Sequence, residues 1–226
     1  MKRVITVLLA VLLVLSLAAC GSGVETKKLA GTWTCTIDVT DRMNAAAEQA
    51  LGLSAADGTA QMPLQLVLTV TEDGAYTLRY DSDAARTALD AYAAALHPAA
   101  VESVYAAAEE QGFSREEYDA AMEKAGITMD DMVAAIFAGV DEEELLSLLT
   151  GRSAALTGYC RAEGGQLYLA DTAAELAETA DCLSYTLSDG TMTWTDAQGE
   201  LSSQLTEQEQ ELLRVPLTWA KQEESK

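Results

Sequence analysis

The spacing of apolar residues changes twice along the chain, and these changes limit the folds that the chain can adopt. Segments 32–39, 64–70 and 76–80 place apolar side chains at every second position, which is typical of half-buried strands. Segment 83–151 is rich in alanine and follows a helical spacing, and the two-residue period returns from residue 156 onwards. The pattern predicts an α+β chain of about eight strands, with a multi-helix insertion between strands three and four.

Neither block of strands forms a self-sufficient sheet, because each would leave an apolar face exposed to water. We therefore expect both blocks to join in one antiparallel barrel or strongly curved sheet, within a single domain over residues 29–226. Strands that carry Trp33 and Trp219 then meet, although they lie near opposite ends of the domain. A second arrangement stays open, in which the strands and the helices form separate domains.

Local signals divide the insertion into short helices. Three units each begin with a side chain suited to cap a helix N-terminus and end at a glycine. Their bounds are Ser114–Gly126, Thr128–Gly139 and Asp141–Gly151. Pro98 predicts a break in the alanine-rich stretch before them, because the residue that precedes a proline resists helical geometry.

The N-terminus has the features of an export signal rather than of a folded element. Residues 1–19 combine a basic start with an uncharged apolar stretch and small residues before Cys20, which predicts a secretory signal peptide. The sequence Leu17-Ala18-Ala19-Cys20 resembles the lipobox of bacterial lipoproteins. This resemblance implies a diacylglycerol group on Cys20 and an anchor on the extracytoplasmic face of a bacterial cell membrane. Residues 20–28 are then a lipidated tether.

The charge and the residue content disfavour several classes of function. The chain has 36 acidic and 14 basic residues, a formal net charge of −22, and nucleic-acid binding needs a basic face instead. A single histidine, His97, disfavours zinc sites and histidine-based catalysis, and no glycine-rich phosphate motif occurs. The acidic groups at 81–83 and 142–144 lack the spacing of a calcium loop. We expect no enzyme activity, no cofactor and no metal.

Four cysteines, Cys20, Cys35, Cys160 and Cys182, bear on the disulfide content. Lipidation of Cys20 leaves three thiols outside the cell, where disulfides are favoured. Cys160 and Cys182 are the more plausible pair, and Cys35 is expected to be a small buried hydrophobe. The sequence does not determine the connectivity, so free thiols remain the alternative.

Large aromatic residues at alternating positions are the remaining candidates for a binding site. They are predicted to share the inward face of the barrel, where they either fill the core or line a ligand pocket. These candidate ligand-binding residues are Trp33, Tyr76, Tyr80, Tyr159, Tyr185 and Trp194. No catalytic residue stands out beside them.

Several short motifs resemble those of lipocalin-like domains. Residues 29–33 match an L-x-G-x-W opening, and residues 72–76 resemble a D-G-x-Y hairpin. Gly158-Tyr159 together with residues 164–169 resembles a G-x-Y…G-x-L-x-L hairpin. Segment 216–219 fits a closing strand. The resemblance implies a small barrel that holds a small molecule, and it transfers no catalytic residue.

These observations together predict a membrane-anchored lipoprotein without enzyme activity. It is expected to bind a small apolar ligand or to have a structural role in the envelope. Its expected partners are the membrane, through the Cys20 lipid, and a small apolar ligand or an envelope protein. The alternative is a protein–protein interaction module in which the inserted helices form the docking face.

Overall fold

The computed structural model describes residues 25–53, 60–138, 145, 155–179, 182–198 and 214–223. The chain divides into two compact units. The first unit comprises the described parts of Met1–Cys35, Leu66–Tyr80 and Ala154–Lys226, and the second comprises those of Thr36–Gln65 and Asp81–Ser153. The chain passes from one unit to the other after residues 35, 65 and 80.

The strands form a closed antiparallel barrel in which each strand pairs with its sequence neighbours. The order is β1 to β8, and β8 returns to β1. The strands are β1 Gly31–Asp38, β2 Pro63–Val70, β3 Ala75–Tyr80, β4 Leu156–Glu163, β5 Gln166–Ala170, β6 Cys182–Ser188, β7 Thr191–Gln198 and β8 Leu217–Lys221. The predicted α+β fold, with eight strands and helices inserted between the third and the fourth, is confirmed.

The hairpin between β2 and β3 shows how local sequence sets the register. Leu68 lies opposite Leu78, so the apolar positions of the two strands share one face. Gly74 ends the turn with φ +88°, and a Cβ at this position would collide with the Cys160 carbonyl oxygen. Only glycine combines this backbone conformation with such a close approach, and the predicted turn is confirmed.

The first and last strands close the barrel. Trp33 lies opposite Lys221 and Thr34 opposite Ala220. The Gln222 amide donates to the Thr32 carbonyl oxygen at 2.8 Å, which extends the same ladder by one residue. The predicted meeting of the Trp33 and Trp219 strands is therefore present in the structure.

A short helical segment, residues 25–29, precedes the barrel and docks on it. The Thr26 hydroxyl accepts a hydrogen bond from the Ala162 amide at 3.0 Å, and Thr26 is buried. Residues 25–28 were predicted to belong to the tether. The hydrogen bond between Thr26 and β4 shows instead that they belong to the folded barrel unit.

The second unit is called the helical unit here. Its described residues include the helices α1 Thr40–Leu51, α2 Ser82–Glu110, α3 Arg115–Ala125 and α4 Met129–Phe137. The predicted break at Pro98 is wrong, because Pro98 lies inside the continuous helix α2. Leu96, Ala100 and Val104 are buried at a four-residue spacing across the proline, so the packing of one helix face offsets the lost backbone hydrogen bond.

Side-chain caps start the three helices of the insertion. Asp81 accepts hydrogen bonds from the amides of Asp83 and Ala84 at the start of α2. Complete capping boxes begin α3 at Ser114 and α4 at Thr128, as predicted. The third predicted unit, Asp141–Gly151, lies outside the described residues except for Leu145, which is helical.

The helical unit has a small apolar cluster of its own. Leu53, Ala100 and Val133 form its buried centre. Partly buried side chains surround this centre, namely Leu51, Val101, Met129, Ile136 and Phe137. A second tie joins α1 to α2, where the Tyr92 hydroxyl donates to Asn44 Oδ1 at 2.6 Å.

Candidate functional site

The strand register decides which aromatic side chains face the barrel interior. Residues opposite one another in an antiparallel pair share a face of the sheet. Tyr76 lies opposite Val70 and Tyr80 opposite Leu66, on the buried face of β2. Tyr185 lies opposite Trp194. These three tyrosines therefore face inward, as predicted, and each is only partly buried.

Tyr159 faces the opposite way from its predicted orientation. It lies opposite Ala75 and Ala170, whereas its neighbour Gly158 lies opposite the inward-facing Tyr76. A Cβ at Gly158 would lie 2.9 Å from the Tyr76 ring and hydroxyl, so Tyr76 occupies the space above this glycine. The inward positions of β4 carry small residues, and the large side chain of Tyr159 therefore gave a misleading signal.

Trp33 lies at the end of the barrel that holds the helical segment 25–29. Its Nε1 donates to the Leu29 carbonyl oxygen at 2.7 Å, and the whole side chain is buried. The Lys221 ammonium lies 5.2 Å from the centroid of the Trp33 ring, within the range of a cation–π contact. These contacts give Trp33 a structural role in closing this end of the barrel.

Trp194 and Trp219 form a pair in the barrel interior. Their ring centroids are 4.8 Å apart and the rings are inclined by 47°. Trp194 lies opposite Leu217 and Trp219 opposite Met192, so both tryptophans share the inward face of β7 and β8. Trp219 was predicted to lie on a closing strand, but it was not among the predicted inward aromatic residues. The alternation of Leu217 and Trp219 along this strand was the signal that could have placed Trp219 among the inward aromatic residues.

The indole nitrogens of this pair differ from that of Trp33. Both Nε1 atoms are buried, and neither has a hydrogen-bond acceptor within the described part of the chain. The exposed fraction is 5% for Trp194 and 0% for Trp219. Buried Trp N–H groups usually find a partner, because an unpaired buried donor raises the free energy of the folded state.

Tyr185 lies in a partly buried environment near two other titratable groups. Burial raises the pKa of the Tyr185 phenol, and the neighbouring Glu25 and Cys160 raise it further. The phenol therefore stays protonated and neutral at physiological pH. It supplies a hydroxyl group but no charge to the barrel interior.

Within the described part of the chain, Cys35, Cys160 and Cys182 are buried thiols that form no disulfide. The predicted Cys160–Cys182 disulfide is not formed, and the register gives the reason. Cys160 lies opposite the inward-facing Leu169, whereas Cys182 lies opposite the outward-facing Tyr168. The two thiols thus lie on opposite faces of the sheet, with β5 between their strands, beyond the reach of a disulfide. Burial raises the pKa of Cys160 to about 12, so it remains a thiol.

His97 and Asp81 contribute to the structure of the helical unit. His97 Nε2 lies 3.1 Å from Asp130 Oδ1 on the surface, and this contact joins α2 to α4. Within the described ranges, no three histidine, cysteine or acidic side chains come together as a metal site. Asp81 caps a helix, as expected for the first acidic group, and residues 142–144 lie outside the described residues.

The predicted lipid-attachment residue, Cys20, also lies outside the described residues. No helix in the described part of the chain is long and apolar enough to span a bilayer. Comparisons with protein-family models, curated proteins and solved structures return no match.

Proposed function

We propose that the chain is a lipid-anchored protein of the outer face of a bacterial membrane, and that its barrel binds a small apolar molecule without transforming it. The proposal joins the lipobox at residues 17–20 to the closed barrel of the first unit. The inward-facing side chains are mainly apolar and aromatic, which suits binding better than acid–base chemistry.

The observation that carries the proposal is the incomplete burial of the inward-facing tyrosines. Trp33, Trp194 and Trp219 face inward and are buried. Tyr76, Tyr80 and Tyr185 also face inward but keep contact with solvent. An inward side chain that solvent reaches borders an opening of the barrel interior, and a ligand that displaces this water gains apolar contact.

The position of the N-terminal segment supports the membrane anchor. Thr26 contacts the β2–β3 turn and β4, so the chain enters the barrel at the end where this hairpin turn lies. Four residues lie between Cys20 and Glu25, and the five steps along the chain span at most about 18 Å when fully extended. A lipid on Cys20 would therefore hold this end of the barrel close to the membrane.

The anchor is tested by fractionation of cells that express the full chain. We expect the wild-type protein in the membrane fraction, with a mass that shows cleavage before Cys20 and an added diacylglycerol group. The Cys20→Ala variant should lose this modification and leave the membrane fraction. A wild-type mass without lipid would refute the anchor.

Ligand binding is tested with the fluorescent apolar probe N-phenyl-1-naphthylamine. The Tyr185→Ala variant should weaken probe binding by about two- to tenfold, because it removes one aromatic contact from the interior. Tyr159→Ala is the matched control, since it removes the same side chain from the outward face and should leave binding unchanged. Equal effects of the two variants, or absence of probe binding to the wild type, would refute the proposal.

A further inference from the structure

The tryptophan pair offers two hydrogen-bond donors to the barrel interior. Trp194 and Trp219 face inward from adjacent strands, and their rings are in contact with a centroid distance of 4.8 Å. Both Nε1 atoms are buried without an acceptor among the described residues. Two orphaned donors at one place are unusual, because each one costs stability when it is left unpaired.

The third tryptophan shows that this is not a general property of the barrel. Trp33 is equally buried, and its Nε1 donates to the Leu29 carbonyl oxygen. The cross-strand neighbours of the pair on β7 and β8 are Leu217 and Met192, which offer no strong acceptor. Among the three tryptophans, the indole donors without an acceptor in the described residues are therefore those of Trp194 and Trp219.

We propose that the apolar ligand carries a neutral hydrogen-bond acceptor, such as an ester, ketone or amide carbonyl, which binds the indole N–H groups of Trp194 and Trp219. This inference rests on the proposed ligand-binding function and names the chemical class of the ligand. One carbonyl oxygen has two lone pairs, so a single oxygen atom can accept from both indoles.

The charges near the pair favour a neutral acceptor over a carboxylate. Lys221 follows Trp219 on the same face of β8, but it is exposed and its ammonium group contacts the Trp33 ring. An ionised carboxylate at the tryptophan pair would be buried beside neutral donors alone, which is unfavourable. The net charge of −22 also repels anions from the protein.

The test compares three probes of similar length, namely methyl decanoate, undecane and decanoate anion, with the full chain labelled by ¹⁵N. The three tryptophans give three indole N–H signals. Methyl decanoate should shift the Trp194 and Trp219 signals downfield and leave the Trp33 signal in place, because Trp33 already has its acceptor. It should bind at least about fivefold more tightly than undecane, because its carbonyl oxygen accepts hydrogen bonds from both indoles and the alkane accepts none. Decanoate should bind more weakly than the ester.

Two variants assign the effect to the donors. Trp194→Phe and Trp219→Phe keep an aromatic ring but remove the N–H group, and each should reduce the preference for the ester over undecane. Leu217→Ile is the matched control on the same face, and it should preserve that preference. The wild-type indole signals remain a sufficient test if a tryptophan variant does not fold.

The outcomes separate this inference from the proposed function. Equal binding of ester and alkane, or ester binding without indole shifts, would overturn the acceptor site and leave the binding function standing. Tighter binding of decanoate than of the ester would replace the neutral acceptor by an anion. Binding of none of the three probes would overturn the proposed function and this inference with it.

Discussion

The barrel unit and the helical unit are stabilised in different ways. In the barrel, the largest buried side chains are Trp33 and Trp219, which come from the first and last strands and lie far apart in the sequence. In the helical unit, the buried centre is the small cluster of Leu53, Ala100 and Val133, and many polar contacts are exposed caps and ion pairs. The barrel therefore depends on long-range contacts, and the helices depend more on local signals.

The largest expected effect comes from the barrel interior. Trp219→Ala removes a fully buried side chain that contacts Trp194, and it should cost about 3–5 kcal/mol of unfolding free energy. Urea denaturation monitored by circular dichroism measures this loss. Phe113→Ala is the comparison in the helical unit, where Phe113 is 46% exposed, and its cost should stay near zero. Similar costs for the two variants would contradict the contrast between the units.

A smaller effect is expected from the centre of the helical cluster. Leu53→Ala should cost about 2–3 kcal/mol, because it leaves a cavity beside Ala100 and Val133. Amide hydrogen exchange should show the loss of protection first in α2 and α4. Unchanged protection in these helices would show that the cluster does not stabilise them.

Helix capping should contribute less than either core. Ser114→Ala should cost about 1 kcal/mol, because the hydroxyl satisfies the Glu117 amide at the start of α3. The same urea denaturation measures it, with Ser114→Asp as a control that restores a capping acceptor. A cost as large as that of Leu53→Ala would show that local signals matter more than the cluster.

The caps also predict a dependence of stability on pH. Hydrogen bonds from the Ser114 amide and hydroxyl lower the pKa of Glu117, and those of Thr128 lower the pKa of Asp131. A carboxylate whose pKa is lowered on folding stabilises the folded state at pH values above its pKa in the unfolded chain, which is about 4. This stabilisation is lost as the pH falls through the lower pKa of the folded state. Glu117→Gln keeps the capping box but removes the charge. The stability of the variant should therefore depend less on pH in the acid range than that of the wild type. An unchanged acid dependence would contradict this assignment.

The smallest effect is expected from the exposed ion pairs of Arg115. Its guanidinium forms two hydrogen bonds with Glu102, at 2.7 and 3.1 Å, and lies 4.6 Å from the centroid of the Tyr105 ring. Arg115→Lys should lower the melting temperature only slightly, and the difference should disappear in about 1 M salt. A large difference that persists in salt would show that this contact contributes as much as a buried one.

The sequence predicted the barrel well because alternation along a strand is a local property. The strand blocks, the glycine turns and the capping boxes at Ser114 and Thr128 all depend on neighbouring residues.

Helix α1, Thr40–Leu51, was not predicted. It carries no N-terminal side-chain cap, and only Met43 and Ala47 are buried in it.

The errors at the candidate site arise from contacts between distant segments. The orientation of Tyr159 depends on the pairing of β4 with β3 and β5, where small residues occupy the inward positions. The separation of Cys160 and Cys182 depends on the register of three strands. The unpaired donors of Trp194 and Trp219 are a property of the folded interior, and residue spacing carries no information about them.

The closure of the barrel by β1 and β8 is the central claim, because it brings Trp33 and Trp219 into one interior. The hydrogen bond from Gln222 to Thr32 makes the next pair, Trp33 and Lys221, a non-hydrogen-bonded pair with close α-carbons. Nuclear Overhauser spectroscopy of the full chain should therefore show a strong contact between the Hα atoms of Trp33 and Lys221. Absence of this contact, together with observable contacts within the β2–β3 hairpin, would contradict a closed barrel.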